Sequence, residues 1–444
     1  MKKQKTKVTC IGLDENGKGI VNIKGKEYFV SNLLPNETAI VEMKRTKYRT
    51  FIDVVKIEKA SKDRVQAPCI HYGYCGGCQL QHMSQQAQDN FKQKIVVNLL
   101  KSFGKVQRII TMEEPYHYRN KVQTTFSFGR KKQIISGVYQ KNSHRVIDME
   151  KCLIHDRKAD EIIQTIKGFM KSFKLLPFDE DTGRGFLRHV LIKRGFATNQ
   201  VMVVLVTSSK MFPGKNNFIK ALVKAHPEIT TIVMNINNRK TSVVLGREEI
   251  TLYGKGYIED VLCGKKFQIS AKSFYQINPV QTEILYNKAI EMARLKGDET
   301  VMDAYCGIGT ISLIVSEKVK KVIGVELNKD AVRDAIRNAK NNQIKNTRFY
   351  EADASDFMVK LAHEKKKIDV VMMDPPRAGS DQKFLSSLIK LSPQKVVYVS
   401  CNPVTMKRDL HYLTKNGYKV EEIQPVDMFP QTSHVECVAL LTRE

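Results

Sequence analysis

The chain has no tryptophan, no long apolar run, and far fewer acids than bases. Without tryptophan, any stacking on a nucleobase falls to its 16 tyrosines and 19 phenylalanines, or to histidine and arginine planes. The longest purely apolar stretch is the hexamer "VMVVLV" at 201–206, whereas a membrane-spanning helix needs roughly 20 such residues. The opening "MKKQKTKVTC" carries charge with no apolar stretch behind it, which reads as a cytoplasmic protein and not a secreted one. Acids number 46 against 73 Lys plus Arg, a formal net charge of +27 over 444 residues. A field of that sign suits a polyanion, and with no spanning segment the polyanion is nucleic acid rather than a membrane. Nine cysteines, an odd number, with no secretion signal argue against a disulfide framework and for free thiols, metal ligation or catalysis.

Three regions follow from the patterning. Residues 1–59 read as five short strands, "KVTCIG", "GIVNIK", "KEYFVS", "TAIVEM" and "TFIDVVKI", divided by turn signals such as "DENGKG". Five strands in so short a span predict a small barrel of the oligonucleotide-binding kind. It carries 13 Lys or Arg against 7 acids, and "KRTKYR" at 44–49 clusters four bases around Tyr48, which assigns it to RNA contact. Residues 60–270 hold a cysteine-rich segment at 66–83, a helix near 84–103, and a mixed α/β region with strands such as "QTTFSFG", "HVLIKRG", "QVMVVLV" and "TIVMNIN". Residues 271–444 alternate strand and helix patterns, "TVMDAYCG", "KVIGVELN", "TRFYEAD", "KIDVVMMDPP" and "QKVVYVSCNP", and so predict a parallel doubly wound sheet.

Ligands of such sheets bind at the strand tips, and three tips here carry informative residues. "DAYCGIGT" at 303–310 closes one strand and opens a helix, with Gly307 and Gly309 allowing close backbone approach to a ligand. The next strand ends at Glu326, 19 residues after Gly307, where an acid suits the two hydroxyls of a ribose. A later strand ends at Asp374, stiffened by two prolines before Arg377. Together these tips resemble a class I (Rossmann-like) S-adenosylmethionine-dependent methyltransferase more than a nicotinamide enzyme.

Cys401, in "VSCNP", sits where Asn402-Pro403 stops a β-branched strand. From position alone it reads as core filler, metal ligand or nucleophile. Chemistry sharpens the choice. Carbon 5 of uracil is too electron-poor to attack a methyl sulfonium unaided, but a thiolate adding to carbon 6 converts the ring to an enolate. That reaction needs an exposed, low-pKa cysteine and a base for the carbon-5 proton. A partner base is found in "TSHVECVALL" at 432–441, read as a strand with His434 and Glu436 on one face. Cys306 and Cys437 read as packing.

"CIHYGYCGGC" spaces Cys69, Cys75 and Cys78 as metal ligands, for zinc or an iron–sulfur cluster alike. Spacing does not choose between Cys152 and Cys10 as a fourth ligand.

"SCNP" at 400–403, "HVE" at 434–436, "DPPR" at 374–377 and "FYQIN" at 274–278 together resemble the bacterial RNA 5-methyluridine methyltransferases, over nearly the whole chain. The resemblance is nearest to members from Gram-positive bacteria that modify two sites of 23S ribosomal RNA. It implies an N-terminal TRAM barrel, a central domain holding a four-iron–four-sulfur cluster on Cys69, Cys75, Cys78 and Cys152, and a C-terminal methyltransferase domain. It further implies Cys401 as nucleophile, Glu436 as base, and Gln276, Tyr305, Glu326 and Asp374 as the holders of S-adenosylmethionine. The expected protein is a monomer acting on a loop or single-stranded uridine. A transfer-RNA substrate, methylation of another base by the same fold, and a non-catalytic RNA-assembly factor are the competing readings.

Overall fold

The computed structural model describes residues 3–45, 50–141, 143–239 and 243–444. All five strands expected in the first region form one antiparallel sheet, in the order Lys26–Val30, Gly19–Ile23, Lys3–Leu13, Thr38–Arg45, Thr50–Lys59. Its curvature has a local cause. Lys3–Leu13 pairs with Thr38–Arg45 through its first half and with Gly19–Ile23 through its second, changing register at Cys10 and Gly12, and such a bulge bends a strand around a core. That core is Val8, Cys10, Val21, Val30, Leu33 and Val41. Lys44, from the basic cluster, is paired with Asp53 at 2.9 Å and Glu42 at 3.3 Å; residues 46–49 of that cluster, Tyr48 included, lie outside the described residues.

The mixed α/β region is a seven-stranded sheet, Glu248–Tyr253, Ile229–Ile236, Val201–Thr207, Leu187–Arg194, Lys121–Phe128, Ile134–Tyr139, Val146–Asp148. Every residue of Val201–Thr207 is buried, which is why "VMVVLV" is apolar without alternation. Inside this sheet the ammonium of buried Lys193 donates to the carbonyls of Ser270 and Ser273 at 2.8 Å each. It thereby pins the segment that leads into Phe274–Asn278.

The third large sheet has eight strands, in the order Thr347–Glu351, Lys321–Glu326, Thr300–Ala304, Val370–Met373, Lys395–Ser400, Glu436–Arg443, Tyr418–Val426, Lys105–Val106. The first five are parallel, as expected, and helices separate them along the chain. The sheet is not wholly parallel, however. Glu436–Arg443 runs antiparallel to both its neighbours, because the link from Val426 contains no crossover helix and can only return the chain antiparallel. That strand begins at Glu436, so His434 lies in the preceding turn and not on a strand face with it. The last strand, Lys105–Val106, is drawn from the segment before the central sheet. Helix Gln85–Leu100, capped by Ser84, sends Val96 and Leu100 into the same core as Met302, Val396 and Leu410. Among the described residues no helix is long and apolar enough to cross a membrane.

The same helix makes a fully buried ion pair. Lys92 Nζ lies 2.6 Å from Asp427 Oδ1 and donates to the Phe429 carbonyl at 3.1 Å. Removing one partner of such a pair leaves an uncompensated charge in the interior. Lys92→Met is expected to destabilise the protein by about 3–5 kcal/mol, read as a lower denaturant midpoint. Lys44→Met, at a more exposed pair, is expected to leave the denaturant midpoint nearly unchanged.

Candidate active site

Cys401 follows the strand Lys395–Ser400 directly, and Asn402 caps the helix Pro403–Thr414 by accepting the Val404 N–H at 3.1 Å. The half-buried thiol is thus held between a strand end and a helix start. The register ends on the pair Ser400 and Cys437, so Cys401 and Glu436 each lie one residue beyond it at the same end of the sheet, near enough for the Glu436 charge to act on the thiol. The nucleophile and base candidates are therefore neighbours.

The "DPPRAG" turn is tied to the same helix. Asn402 Nδ2 and Thr405 Oγ1 both donate to the Arg377 carbonyl, at 3.1 and 3.3 Å, while Arg408 donates to the carbonyls of Ala378 and Ser380. Gly379, at φ 75°, allows no side chain, since a Cβ there would stand 2.6 Å from both Arg408 Nη2 and Asp409 Oδ2. These bonds fix Asp374 and Arg377 beside Cys401.

The electrostatics overturn one expectation. Cys401 is not a low-pKa thiol in the ligand-free protein: burial, then the charges of Glu436 and Asp374, push it up to about 11, against the opposing pull of Arg377. Burial and Asp374 likewise raise Glu436 well above the usual carboxylate range, and burial lifts Asp374 itself to about 7. Three like charges in so small a space cannot all form. Pattern reading places an acid and a thiol at the strand tips but cannot count how many acids share the crevice.

Next to them lies the candidate cofactor crevice. Tyr305 has a left-handed backbone, φ 66°, turning the chain sharply after Thr300–Ala304. Its hydroxyl is 3.4 Å from Ser380 Oγ and its ring packs at 5.5 Å on Phe384. Glu326 accepts the N–H groups of Gly307 at 3.0 Å and Asn328 at 2.7 Å, and a Cβ at Gly307 would meet only open space. Gln276 is fixed through its carbonyl by Asn120 Nδ2 at 2.9 Å, and its side chain hydrogen-bonds Tyr286, whose hydroxyl also feels Asp374. The structure thus brings Gln276, Glu326 and Asp374 around the loop that follows Tyr305. Sequence reading quoted Asp303 without giving it a role. Burial, with Asp374 and Glu326 nearby, raises it to about 7. Ser312 bonds one carboxyl oxygen at 2.6 Å while the other, fully buried, has no hydrogen-bond partner among the described residues. An acidic crevice with an unpaired buried acceptor suits a cationic ligand that also donates hydrogen bonds, which S-adenosylmethionine is.

Cys69, Cys75, Cys78 and Cys152 come together on one cavity of about 140 Å³, walled also by His71, Tyr72, Arg119 and Met149. Cys10 is elsewhere, in the core of the first sheet, so the ambiguity over a fourth thiol is resolved by position. Burial and the neighbouring thiols raise Cys75, and raise Cys78 to about 12. Burial alone would raise Cys152 too, but the hydrogen bond and charge of His155 bring it below the usual value. Asp160 holds His155 Nδ1 at 2.9 Å and accepts the Cys152 N–H at 2.7 Å, the outer-shell support usual for a ligand. Among the described residues, no three His, Cys, Asp or Glu stand close enough to hold a single metal ion. The thiols ring a cavity instead of converging on a point.

The geometry defines a class: an α/β methyltransferase fold with a thiol and buried acids gathered at the strand tips. The family model described as tRNA (Uracil-5-)-methyltransferase matches residues 84–444. An uncharacterized RNA methyltransferase of Listeria monocytogenes serotype 4b is 43% identical, covering 99% of this chain and 98% of its own. One from Staphylococcus aureus is 42% identical, covering 97% and 96%. The crystal structure of Pyrococcus abyssi tRNA (uracil-54, C5)-methyltransferase in complex with S-adenosyl-L-homocysteine superposes with a TM-score of 0.81 at 28% identity, over 98% of this chain and all of that one. The chain belongs to the tRNA (uracil-5-)-methyltransferase family. It is an S-adenosylmethionine-dependent RNA methyltransferase.

The raised thiol gives a direct test. In the ligand-free protein, alkylation of Cys401 by iodoacetamide, followed by peptide mass spectrometry, should quicken with pH toward about 11. Asp374→Asn removes a like charge that disfavours the thiolate, so it should move that profile to lower pH.

Proposed function

We propose that the protein methylates carbon 5 of specific uridines in 23S ribosomal RNA through a covalent Cys401–uracil adduct. The observation that carries this reading is the gathering of Cys401, Glu436 and Asp374 at one end of the sheet, just past the Ser400–Cys437 pair, where both carboxyl charges act on the thiol. S-adenosylmethionine supplies a methyl group on a sulfonium, and its positive charge favours ionisation of the acids and thiol around it. Gln276, Tyr305, Glu326 and Asp374 hold it. Cys401 Sγ, as thiolate, would bond to carbon 6, making carbon 5 nucleophilic enough to take the methyl group, while the donor's sulfur–methyl bond breaks, its electron pair stays on sulfur, and the neutral thioether S-adenosylhomocysteine leaves. Glu436 then accepts the carbon-5 proton, the electron pair re-forms the 5,6 double bond, and the sulfur–carbon bond breaks to free the thiolate. A carboxylate whose pKa has been raised by burial is a stronger base for that proton than an exposed one.

Division of labour follows the three regions, 1–59 for RNA contact, 60–270 for the cysteine site and 271–444 for methyl transfer. Cys69, Cys75, Cys78 and Cys152 fit a four-iron–four-sulfur cluster, since four thiols around a cavity suit a polynuclear group better than one ion with metal–sulfur bonds of about 2.3 Å. Phe274, 62% exposed at the mouth of the Gln276 segment with Lys121 Nζ 5.8 Å from its ring, offers a stacking face for a base drawn out of its helix. The protein acts as a cytoplasmic monomer on loop or single-stranded RNA.

Ribosomal RNA is favoured by the resemblance to the dual-site enzymes of Gram-positive bacteria; the Listeria and Staphylococcus relatives are named only as RNA methyltransferases. Transfer RNA is the second reading, and one observation favours it. The Pyrococcus abyssi transfer-RNA enzyme matches 98% of this chain, so the barrel and cysteine segment do not by themselves separate the two substrates. Mapping 5-methyluridine in ribosomal and transfer RNA from cells with and without the gene decides between them.

Two variants test the chemistry. On a denaturing gel with radiolabelled S-adenosylmethionine and substrate RNA, Cys401→Ala should give neither product nor adduct. Glu436→Gln should trap a methylated, denaturant-resistant RNA complex. A Cys401→Ala enzyme that still methylates uridine refutes the covalent route. Separately, protein purified without air should be brown, and Cys75→Ser should lower both its iron content and its soluble yield.

A further inference from the structure

Glu436 is reached through residues 427–435, which have no regular structure of their own. Gln431 in that segment has a left-handed backbone, φ 71°, a conformation a non-glycine residue keeps only with outside support. The support comes from residues just after the cysteine loop. The N–H groups of Gln79 and Leu80 both donate to the Gln431 carbonyl at 3.0 Å. Gln88 accepts the Gln431 N–H at 3.2 Å and donates to its side-chain oxygen at 3.1 Å.

The Gln79 side chain adds a bridge. Its Oε1 accepts the Ser433 N–H at 3.3 Å, and its Nε2 donates to the Gly76 carbonyl at 2.8 Å. Gly76 lies between Cys75 and Cys78, and Ser433 is three residues before Glu436. Tyr72 fixes the Gln79 backbone in turn, donating its hydroxyl to the Gln79 carbonyl at 2.5 Å. One amide side chain therefore spans the cysteine loop and the segment that carries the base.

We propose that Gln79 is a positioning residue: by tying Ser433 to the cysteine loop it holds Glu436 in place for the carbon-5 proton. This rests on Glu436 acting as the base. Cys401 has separate anchors, the helix it precedes and the Arg377 turn. Loss of the bridge consequently slows proton removal and leaves thiol addition nearly untouched. It also makes the cysteine loop, with a cluster held there by Cys75 and Cys78, part of the framework that sets catalytic geometry.

Gln79→Met keeps the length of the side chain and deletes both bonds. In holoenzyme purified without air, kcat should fall about tenfold while KM for RNA stays within about twofold, the loss expected of a bond that acts after binding. Denaturant-resistant RNA adduct should accumulate, iron per chain should match the parent, and amide exchange at 431–436 should quicken. Gln79→Glu retains the acceptor for Ser433 and should turn over faster than Gln79→Met. Unchanged kcat and amide exchange overturn the proposal. So does a fall in kcat that only tracks lost iron, since the residue would then merely hold the cysteine loop. Normal turnover by Glu436→Gln would instead refute the base assignment, while amide exchange in Gln79→Met still reports whether the bridge holds the segment.

Discussion

The buried Asp374 raises the pKa of both Asp303 and Glu436, and Glu436 and Asp374 together raise that of Cys401. Accumulated negative charge in a confined, dehydrated space is the constraint on which the site depends. Arg377 draws both Glu436 and Cys401 back toward ionisation, but burial outweighs it. The crevice calls for a cation, and the chain around it carries a formal net charge of +27. A cationic methyl donor inside and a polyanionic RNA outside satisfy both fields at once. The same arrangement favours the protonated thiol at Cys401 in the ligand-free protein.

Holding such charges requires rigid neighbours, and these come from far along the chain. The segment ahead of Glu436 is gripped by Lys92 at Asp427 and Phe429, by Tyr118 at Pro430, by Gln88 at Gln431, and by Asn278 and Gln281 at Met428 and Asp427. Residues before the methyltransferase sheet thus complete its active end. The helix Gln85–Leu100 and the edge strand Lys105–Val106 do the same for its core. A truncation that looks modular in sequence would strip these bonds from the catalytic segment.

The cysteine site shows a related economy. Cys78 anchors one side of the cavity, and its immediate successors Gln79 and Leu80 bind Gln431. Proximity along the chain makes a cavity-lining thiol and a loop clamp inseparable. His155, held by Asp160, lowers the Cys152 thiol by hydrogen bond and charge. Thiols are therefore shifted in opposite senses within one chain, upward at Cys401, Cys75 and Cys78 and downward at Cys152.

The local patterns determined a great deal. Turn residues and β-branched runs predicted the five strands of the first sheet and the five parallel strands of the third, because those signals depend on neighbours a few residues apart. The strand tips bearing Tyr305, Glu326, Asp374 and Cys401 were legible for the same reason: a break such as Asn402-Pro403 marks where a strand must stop. Tertiary structure decided what depends on distant pairing. The return of Glu436–Arg443 antiparallel to Lys395–Ser400 brings Glu436 to the same sheet end as Cys401, and no period or spacing encodes that register. Which thiol joins Cys69, Cys75 and Cys78 was open until Cys152 and Cys10 fell in different places. The height of the Cys401 pKa was hidden too, since its burial and the like charges of residues 374 and 436 arise only once the chain has folded.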